Sequence, residues 1–353
     1  MRIDHATVSD RAVLLIITWA GTREGGAFEI AKVGVFEIDD LGRIRCIDQY
    51  DLDQVDAARA RFAELVLGPV EALRPDPLRI LPNAASLARD RALEAFAARD
   101  WLALRALTSR DMVWEDRQKR ALLTGDVELW ISSLQTVSPW VRFEHELIAT
   151  VGDRVALEHV GWVGGPKGGE FQIEQITLTE VDADGRIRAS ITFDLDDRRA
   201  AFAEAHARFV AGEAAAIGGQ TPIVVLARAF ARRNWETLRG CLADNLVFRD
   251  HRTLGLLGEL RRDEWVESLR VQTDLAPDVD VETLRVITWN THGRVDLSRA
   301  YGILRDGGPF ENVMLRVIVT DGDHIRHWDL FEVGDGERAL ARLEELCVEC
   351  AQP

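Results

Sequence analysis

The sequence predicts an α+β fold built from repeated units, in which helices precede and pack on an antiparallel sheet. Three observations lead to this prediction. The first half of a unit carries an apolar stripe with the 3.6-residue period of a helix, and the second half alternates apolar and polar residues as strands do. Both halves recur along the 353-residue chain. Helices followed by a meander of strands are typical of the α+β class.

The recurring segments are recognisable by eye. AFAARDW at residues 95–101 matches AFARRNW at 229–235, and the match continues without a gap to WEDR at 114–117 and FRDH at 248–251. The second half occurs three times, and in each copy a glycine pair shortly precedes a phenylalanine. Each copy ends on an aromatic residue followed by an acid, namely Tyr50-Asp51, Phe193-Asp194 and Phe331-Glu332.

The repeats divide the chain into five parts. We expect a partial repeat at 1–67 (a sheet half plus a C-terminal helix), a proline-rich linker at 68–85, a full unit at 86–211, a linker at 212–220 and a full unit at 221–349. The linkers lie where prolines or glycines interrupt regular structure.

Individual elements follow from the same patterns. Leu93, Phe96, Trp101, Leu104 and Leu107 share one helical face in the middle unit. Further helices are predicted at 126–137 and 262–273, and from about Asp53, Asp197 and Asp335, while 110–116 and 244–250 are predicted as short strands or turns. The partial repeat is predicted to hold strands near 11–20, 27–38 and 43–52.

Composition narrows the classes of function. The chain carries 43 basic and 59 acidic residues, a net charge of −16, which disfavours nucleic acids and anionic membranes as partners. Four cysteines and an acidic N-terminal region without a signal peptide predict a cytoplasmic protein. The sequence holds no phosphate loop, nucleophile elbow or zinc helix, and we therefore expect no cofactor and no metal.

The order of these elements resembles the SnoaL-like, nuclear transport factor 2-like superfamily. The resemblance rests on the helices, the segment Trp114-Glu115-Asp116-Arg117, and the hairpins that end Gly185-Arg186-Ile187-Arg188 and Phe193-Asp194. The sequence is also similar to tandem modules of actinobacterial proteins. The resemblance implies cone-shaped units in which a curved sheet wraps around helices and encloses a pocket. Members of the superfamily include isomerases, epoxide hydrolases, polyketide cyclases and non-catalytic binding modules, so the fold leaves the function open.

Ketosteroid isomerases of this superfamily use an aspartate in a Val-Glu-Asp-Pro segment as a general base. The resemblance places Asp116 in that role, and Asp250 in the last unit. The family also needs donors for the enolate oxygen. The positions that correspond to those donors hold non-family residues, namely Ala92, Leu226, Thr177 and Arg316.

Limonene-type epoxide hydrolases imply a different site in the last unit. Their final strand resembles His327-Trp328-Asp329-Leu330-Phe331, which puts Asp329 on the catalytic aspartate. Their Arg-x-Asp segment supplies two further groups, and the alignment of the repeats puts Arg299 and Tyr301 at these two positions. In the middle unit the same two positions hold His159 and Gly161. The segment Arg294-Val295-Asp296 has the family's letters but lies five residues early in that alignment.

Two hypotheses of different class remain open. The first is a tandem module that binds a small apolar or aromatic ligand, or dimerises, without catalysis. The second is a hydrolase, cyclase or isomerase acting through Asp250, Arg299, Tyr301 and Asp329, with Asp116 as the middle unit's candidate. Convergence of these side chains in one cavity would favour the enzyme, whereas turn, cap or ion-pair roles would favour the binding module.

The partial repeat raises a question of its own. Its strands have no preceding helices to cover the sheet, so one apolar face needs a partner. We expect that face to pack on another sheet, either within the chain or across a homodimer.

Overall fold

The computed structural model describes residues 2–9, 12–23, 26–38, 43–71, 78–137, 141–165, 169, 171–253, 255 and 257–351. The chain divides into two compact units, Met1–Arg79 and Ile80–Pro353. No helix in the described part of the chain has both the length and the apolar content needed to cross a membrane. Four residues of the repeated motifs lie outside the described residues, namely Gly25, Gly42, Gly168 and Glu170.

The first unit is an antiparallel sheet with one helix. Its strands pair in chain order and are β1 (Arg2–Val8), β2 (Ala12–Arg23), β3 (Gly26–Ile38) and β4 (Ile44–Tyr50). A 3₁₀ turn at Leu52–Gln54 leads into α1 (Val55–Glu71). The three predicted strands are confirmed, and β1 is a strand that the sequence patterns do not predict.

Helix α1 covers one face of this sheet. Leu14, Val33, Val35 and Ala58 form the buried cluster between helix and strands. Because side chains alternate along a strand, the neighbours of Leu14 on β2 point to the opposite face. The β2 side chains on that face are apolar, namely Val13, Leu15, Ile17 and Trp19.

The second unit contains two segments with the same order of elements. The middle segment (residues 84–211) comprises α2 (Ala84–Ala97), α3 (Trp101–Ala106), β5 (Thr108–Asp116), β6 (Leu123–Gly125), α4 (Val127–Val137), β7 (Val141–Val151), β8 (Val155–Gly164), β9 (Phe171–Val181), β10 (Ile187–Phe193) and α5 (Arg198–Ala211). The C-terminal segment (residues 221–351) comprises α6 (Thr221–Ala231), α7 (Trp235–Gly240), β11 (Leu242–Asp250), β12 (Glu259–Arg261), α8 (Arg262–Leu275), β13 (Asp280–Asn290), β14 (Gly293–Ile303), β15 (Pro309–Thr320), β16 (Ile325–Phe331) and α9 (Gly336–Ala351). The predicted α+β class, with helices on curved antiparallel sheets after a mainly β region, is confirmed.

The strands of both segments join in one sheet of twelve strands. Its order is β12-β11-β16-β15-β14-β13-β7-β8-β9-β10-β5-β6. The two halves meet where β13 pairs in parallel with β7, at Arg285 and Thr150. Within each half the meander is antiparallel, and its last strand also pairs in parallel with the first strand of the segment.

Three buried clusters hold this unit together. A central cluster takes residues from both segments and from the two C-terminal helices α5 and α9, including Leu157, Phe209, Val317 and Leu343. The other two clusters lie under the N-terminal helices of each segment. The faces of the sheet that are turned away from those helices are therefore covered by α5 and α9.

The predicted helical stripe of the middle segment is broken in two. Arg99 has a positive φ of 56°, and Asp100 caps α3 by accepting a hydrogen bond from the Ala103 amide at 2.9 Å. The C-terminal segment repeats this break at Arg233, with Asn234 as the cap of α7. The apolar stripe predicts one continuous helix through Trp101, and this prediction was wrong. The apolar residues keep the spacing of a single helix on both sides of Arg99, so the stripe does not reveal the break.

Boundaries elsewhere lie close to the predicted ones. Helices α1, α5 and α9 begin at Val55, Arg198 and Gly336, next to the predicted starts. Helix α1 includes Pro69 in its last turn and continues through Glu71, because a proline there removes a single helical hydrogen bond. Residues 72–77 of the predicted linker lie outside the described residues.

Candidate functional site

Strand pairing aligns the two segments of the second unit residue by residue. Glu158 on β8 pairs with Thr177 on β9, and Asp296 on β14 pairs with Arg316 on β15. Counting back from the last strand of each segment gives the equivalent positions, which are Phe143 with Val281, Ala156 with Arg294, Glu158 with Asp296, Trp162 with Ala300, and Thr177 with Arg316. The alignment that set His159 against Arg299 is thus two residues out of register on this strand.

A cavity of about 760 Å³ lies in the second unit, between α5, α6, α8 and the strands of the C-terminal segment. Most of its wall is apolar and aromatic, including Phe202, Ile223, Leu226, Phe230, Trp265, Leu269 and Trp328. The polar side chains of the wall include His206, Glu282, Thr283, Arg294, Tyr301 and Arg316. A volume of this size accommodates a small organic molecule.

The cavity lies where the middle segment has aromatic rings. In that segment Phe143 and Trp162 pack edge to face with their centroids 4.3 Å apart, and Phe96 lies 4.7 Å from Phe143. The C-terminal segment has Val281 and Ala300 at the two strand positions. The loss of two large side chains leaves space between helices and sheet that the middle segment fills.

Three charged residues form a buried cluster at the cavity wall. The Asp296 carboxylate accepts hydrogen bonds from Arg316 Nε at 2.7 Å and Arg316 Nη2 at 3.1 Å. Arg294 Nε lies 2.7 Å from Asp296 Oδ2, and Ser298 donates a hydrogen bond to the same carboxylate at 2.8 Å. Burial acts to raise the pKa of Asp296, but the two arginines outweigh it and hold the pKa at about 2.

This cluster carries an excess positive charge. Arginine stays protonated in proteins, so two guanidinium groups face one carboxylate. Arg294 is 1% exposed, and its Nη1 has no hydrogen-bond partner among the described residues. His206 donates from Nδ1 to the Phe202 carbonyl at 3.2 Å, and burial beside Arg294 lowers the pKa of His206 to about 3. The histidine is therefore neutral at pH 7 and does not add to the charge.

A second charged group centres on Glu282 of β13. Arg198 on α5 donates to both Glu282 oxygens at 2.6 and 3.0 Å, and Arg299 donates to Oε2 at 2.7 Å. The Tyr301 hydroxyl donates to Oε1 at 3.1 Å, and burial together with Glu282 raises the pKa of Tyr301. Arg299 and Tyr301 thus share the carboxylate of Glu282, a residue that the sequence patterns did not single out.

Asp329 lies on the other face of the sheet. Its neighbour Trp328 lines the cavity, and side chains alternate along β16. The fully buried Asp329 carboxylate accepts from Arg342 Nε of α9 at 2.8 Å and lies 3.2 Å from His251 Nε2. Asp329 therefore joins β16 to α9 and points away from the cavity.

Asp116 and Asp250 end the first strand of each segment, and each organises the turn that follows. Asp116 accepts from the Gln118 amide at 3.0 Å, and burial raises its pKa. Asp250 accepts from Arg252 Nε and Nη2, both at 2.8 Å. Burial acts to raise the pKa of Asp250, but the Arg252 guanidinium outweighs it and lowers that pKa. Neither residue is part of the cavity wall.

The structure distributes the sequence-predicted residues over separate groups. Tyr301 lines the cavity and contacts the same carboxylate as Arg299, whereas Asp250 pairs with Arg252 and Asp329 with Arg342. The cluster of Arg294, Asp296 and Arg316 at the cavity wall was missed as a group. Its sequence signal was the pair Arg294 and Asp296, two residues apart and therefore on one face of a strand.

Among the described residues, two clusters have donor atoms close enough for a metal ion. They are Asp90, His145 and Glu158, and Asp194, Asp196 and Asp197, each with ligand atoms within 4.8 Å of one another. In the first cluster Arg89 Nε lies 3.6 Å from Glu158, and its charge opposes a cation. In the second, Lys119 pairs with Asp196. Each cluster therefore already includes a basic partner.

Comparison with known protein families finds a match in the middle of the chain. Residues 90–190 match the family model of the SnoaL-like domain, so the middle segment contains such a domain. No curated protein matches the sequence.

Several solved structures are similar to about a third of this chain. RV0760c of Mycobacterium tuberculosis, solved in complex with estradiol-17β-hemisuccinate, is 17% identical over 32% of this chain and 96% of its own, with a TM-score of 0.28. An M. tuberculosis LEH-like epoxide hydrolase is 20% identical over 36% of this chain and 96% of its own (TM-score 0.27). A putative polyketide cyclase of Xanthomonas campestris pv. campestris is 18% identical over 31% and 89% (TM-score 0.26). These likenesses carry no information on the role of any residue here.

Proposed function

We propose that this protein binds a small, largely apolar molecule in the cavity of the C-terminal segment. The observation that supports the proposal is the cavity itself, about 760 Å³, walled by Trp265, Trp328 and Phe230 among others. Sites for small molecules are concave and mostly apolar, with a few polar groups that orient the ligand. The proposal invokes no reaction, because Asp250, Tyr301 and Asp329 belong to separate groups.

The two segments then have different tasks. Their shared order of elements supports a tandem arrangement in which residues 221–349 form a second SnoaL-like unit after the one at 86–211. The middle unit, with its interior occupied by Phe96, Phe143 and Trp162, is a structural partner. The last unit is the one that binds the ligand.

Native mass spectrometry of protein purified from its natural host tests this function. We expect a retained small molecule on the wild-type chain and its loss from the double variant Val281→Phe, Ala300→Trp. Val281 lines the cavity and Ala300 pairs with it across β13 and β14, so the variant brings the rings of the middle segment to this wall. The conservative double variant Val281→Ile, Ala300→Gly is the matched control and should retain the molecule.

The two variants also separate binding from folding. Both should keep the far-ultraviolet circular dichroism of the wild type, since neither changes a charge or a backbone hydrogen bond. Retention of the same molecule by the filled variant would contradict the proposal. The proposal would also be contradicted by a wild-type chain that carries no small molecule and binds none of four probes, namely 1-naphthaleneacetate, 1-naphthaleneacetamide, dodecanoate and dodecanol.

The face of the first unit that α1 leaves open supports a second proposal, on association. Val13, Leu15 and Ile17 of β2 lie half-buried on this face, and Trp19 beside them is 52% exposed. Contiguous exposed apolar side chains are typical of interaction surfaces. The chain forms a homodimer through this face of the partial repeat.

A further inference from the structure

We infer that the ligand of the cavity is a small carboxylic acid whose carboxylate binds at Arg294 and Arg316 while its apolar part contacts the tryptophans. The inference rests on the proposed function and adds the chemical class of the ligand. It follows from the charge, the hydrogen bonds and the position of the Arg294–Asp296–Arg316 cluster.

The first step is the balance of charge. Arg294 and Arg316 bring two positive charges and Asp296 one negative charge, and all three side chains are buried. A buried charge without a partner is expensive, because the low-dielectric interior does not replace the hydration that the ion loses. An anionic ligand at this wall of the cavity would bring the cluster to neutrality.

The nearby acids do not supply that negative charge. Glu282, the next carboxylate of the wall, is already shared between Arg198 and Arg299. Asp280 accepts from Arg199 Nε at 2.7 Å. Each acid thus neutralises arginines of its own group rather than Arg294.

The second step is the supply of donors. A guanidinium group offers five N–H donors in a plane, and it matches the two oxygens of a carboxylate. Arg316 uses two of its nitrogens on Asp296 and also reaches Thr283, whereas Arg294 Nη1 has no partner among the described residues. Arg294 is therefore the residue with donor capacity left for a ligand.

The third step is that the excess charge occurs in the segment that has the cavity. At the equivalent sheet positions the middle segment has Ala156 and Thr177 in place of the two arginines. The acid is kept there as Glu158, and a single arginine from helix α2, Arg89, lies beside it at 3.6 Å. In the middle segment Glu158 thus has one arginine beside it, with His145 at 3.7 Å and Asp90 in the same cluster, whereas Asp296 in the C-terminal segment has two arginines where the interior is open.

The fourth step is the position of the apolar wall. The Arg316 guanidinium lies over the Trp328 ring, 5.3 Å from its centroid, and Trp328 is next to Trp265, with centroids 5.0 Å apart. A ligand whose acid group contacts the arginines would therefore extend along these rings. Its aromatic or aliphatic part would meet Phe230 and Leu226 of α6.

Matched pairs of probes that differ in charge test the inference on the full chain. We would titrate 1-naphthaleneacetate against 1-naphthaleneacetamide, and dodecanoate against dodecanol, at pH 7.5 by isothermal titration calorimetry. The expected result is that each acid binds at least tenfold more tightly than its neutral partner. In Arg294→Gln this preference should fall below threefold, with the affinity for the neutral probe little changed, and Arg294→Lys should restore part of it.

The outcomes separate the inference from the proposed function. Equal affinity of acid and neutral probe for the wild type would overturn the carboxylate and leave a binding cavity. A neutral molecule retained in native mass spectrometry would do the same. If Arg294→Gln does not fold, as judged by its circular dichroism, the inference is tested by the affinities of acid and neutral probes for the wild type and for Arg294→Lys.

Discussion

Arg316 on β15 holds Asp296 on β14 through two hydrogen bonds, at 2.7 and 3.1 Å, across adjacent strands of the sheet. Arg294, on the same strand as Asp296, approaches one oxygen of that carboxylate, and its Nη1 has no hydrogen-bond partner in the described part of the chain. The two arginines of the cluster therefore differ in what they contribute to the fold. This difference can be measured without any knowledge of the ligand.

We expect Arg316→Met to lower the free energy of unfolding by about 3–5 kcal/mol, because it leaves Asp296 buried without its main partner. Arg294→Met should cost less than about 1 kcal/mol or stabilise the protein, since it removes a cation that the ligand-free protein does not neutralise. Urea denaturation followed by circular dichroism measures both changes. Equal losses for the two variants would contradict the division of roles.

His206 should make the protein less stable in mild acid. The pKa of His206 is about 3 in the folded protein, against 6.5 for an ordinary histidine, because it is buried beside Arg294. Between these values the unfolded chain binds the proton and the folded chain does not. The free energy of unfolding should therefore fall as pH falls from 6.5 towards 3, by up to about 1.4 kcal/mol per pH unit.

The variant His206→Gln tests this pH dependence, because glutamine keeps a donor for the Phe202 carbonyl and does not titrate. Its stability curve should be flatter than that of the wild type between pH 6.5 and 4. Asp296 acts at lower pH, since its pKa is lowered from 3.8 to about 2 and its stabilisation is lost between these values. An unchanged slope in His206→Gln above pH 4 would assign the acid sensitivity to other groups.

The structural position of Asp329 leads to a prediction about stability. Asp329→Asn and Arg342→Met should each lower the free energy of unfolding by about 3–5 kcal/mol, because each breaks a buried ion pair between β16 and α9. The double variant should lose much less than the sum of the two. Denaturant titration of the three variants gives the coupling energy, and additive losses would show that the pair does not matter.

Secondary structure could be predicted from the sequence to a large extent, because local periodicity determines it. Helices α4 and α8 were predicted at 126–137 and 262–273 and occupy Val127–Val137 and Arg262–Leu275. Strand β1 was not predicted, and neither were the breaks at Arg99 and Arg233. A positive φ at a non-glycine residue has no reliable signature in spacing, since the apolar pattern continues across it.

The candidate site was harder to predict, because it depends on register and on the face of each strand. A shift of one residue along β16 exchanges Trp328, at the cavity, for Asp329, on the opposite face. A shift of two residues keeps the face but changes the partner across the sheet. The alignment of the repeats selected Arg299 and Tyr301, which lie five residues beyond Arg294 and Asp296 on β14, and such an odd shift also exchanges the face of the strand.

Leu238 should be more important for stability than Trp235. Both Trp101 and Trp235 are only partly buried, whereas Leu104 and Leu238 on the same helices are completely buried. We expect Leu238→Ala to cost about 2–5 kcal/mol and Trp235→Ala less than that. Melting curves of the two variants give the order, and the reverse order would contradict the packing of α7.

The partial repeat should control the oligomeric state. The open face of β2 includes Ile17 and Trp19, and lysines there would place charges in any sheet-to-sheet contact. We expect the full chain to have the mass of a dimer by light scattering, and the double variant Ile17→Lys, Trp19→Lys to have that of a monomer. Leu102→Lys, at a side chain that is 81% exposed in the second unit, is the control and should leave the mass unchanged.

Deletion of residues 1–67 gives an independent measurement of the same surface. If the partial repeat joins two copies, the truncated chain should be monomeric, because the dimer contact is removed with it. A lower melting temperature of that chain would show that the repeat also stabilises the remainder. A wild-type chain that is monomeric would contradict the role given to this sheet. A truncated chain with the same oligomeric state and the same melting temperature as the full chain would contradict it as well.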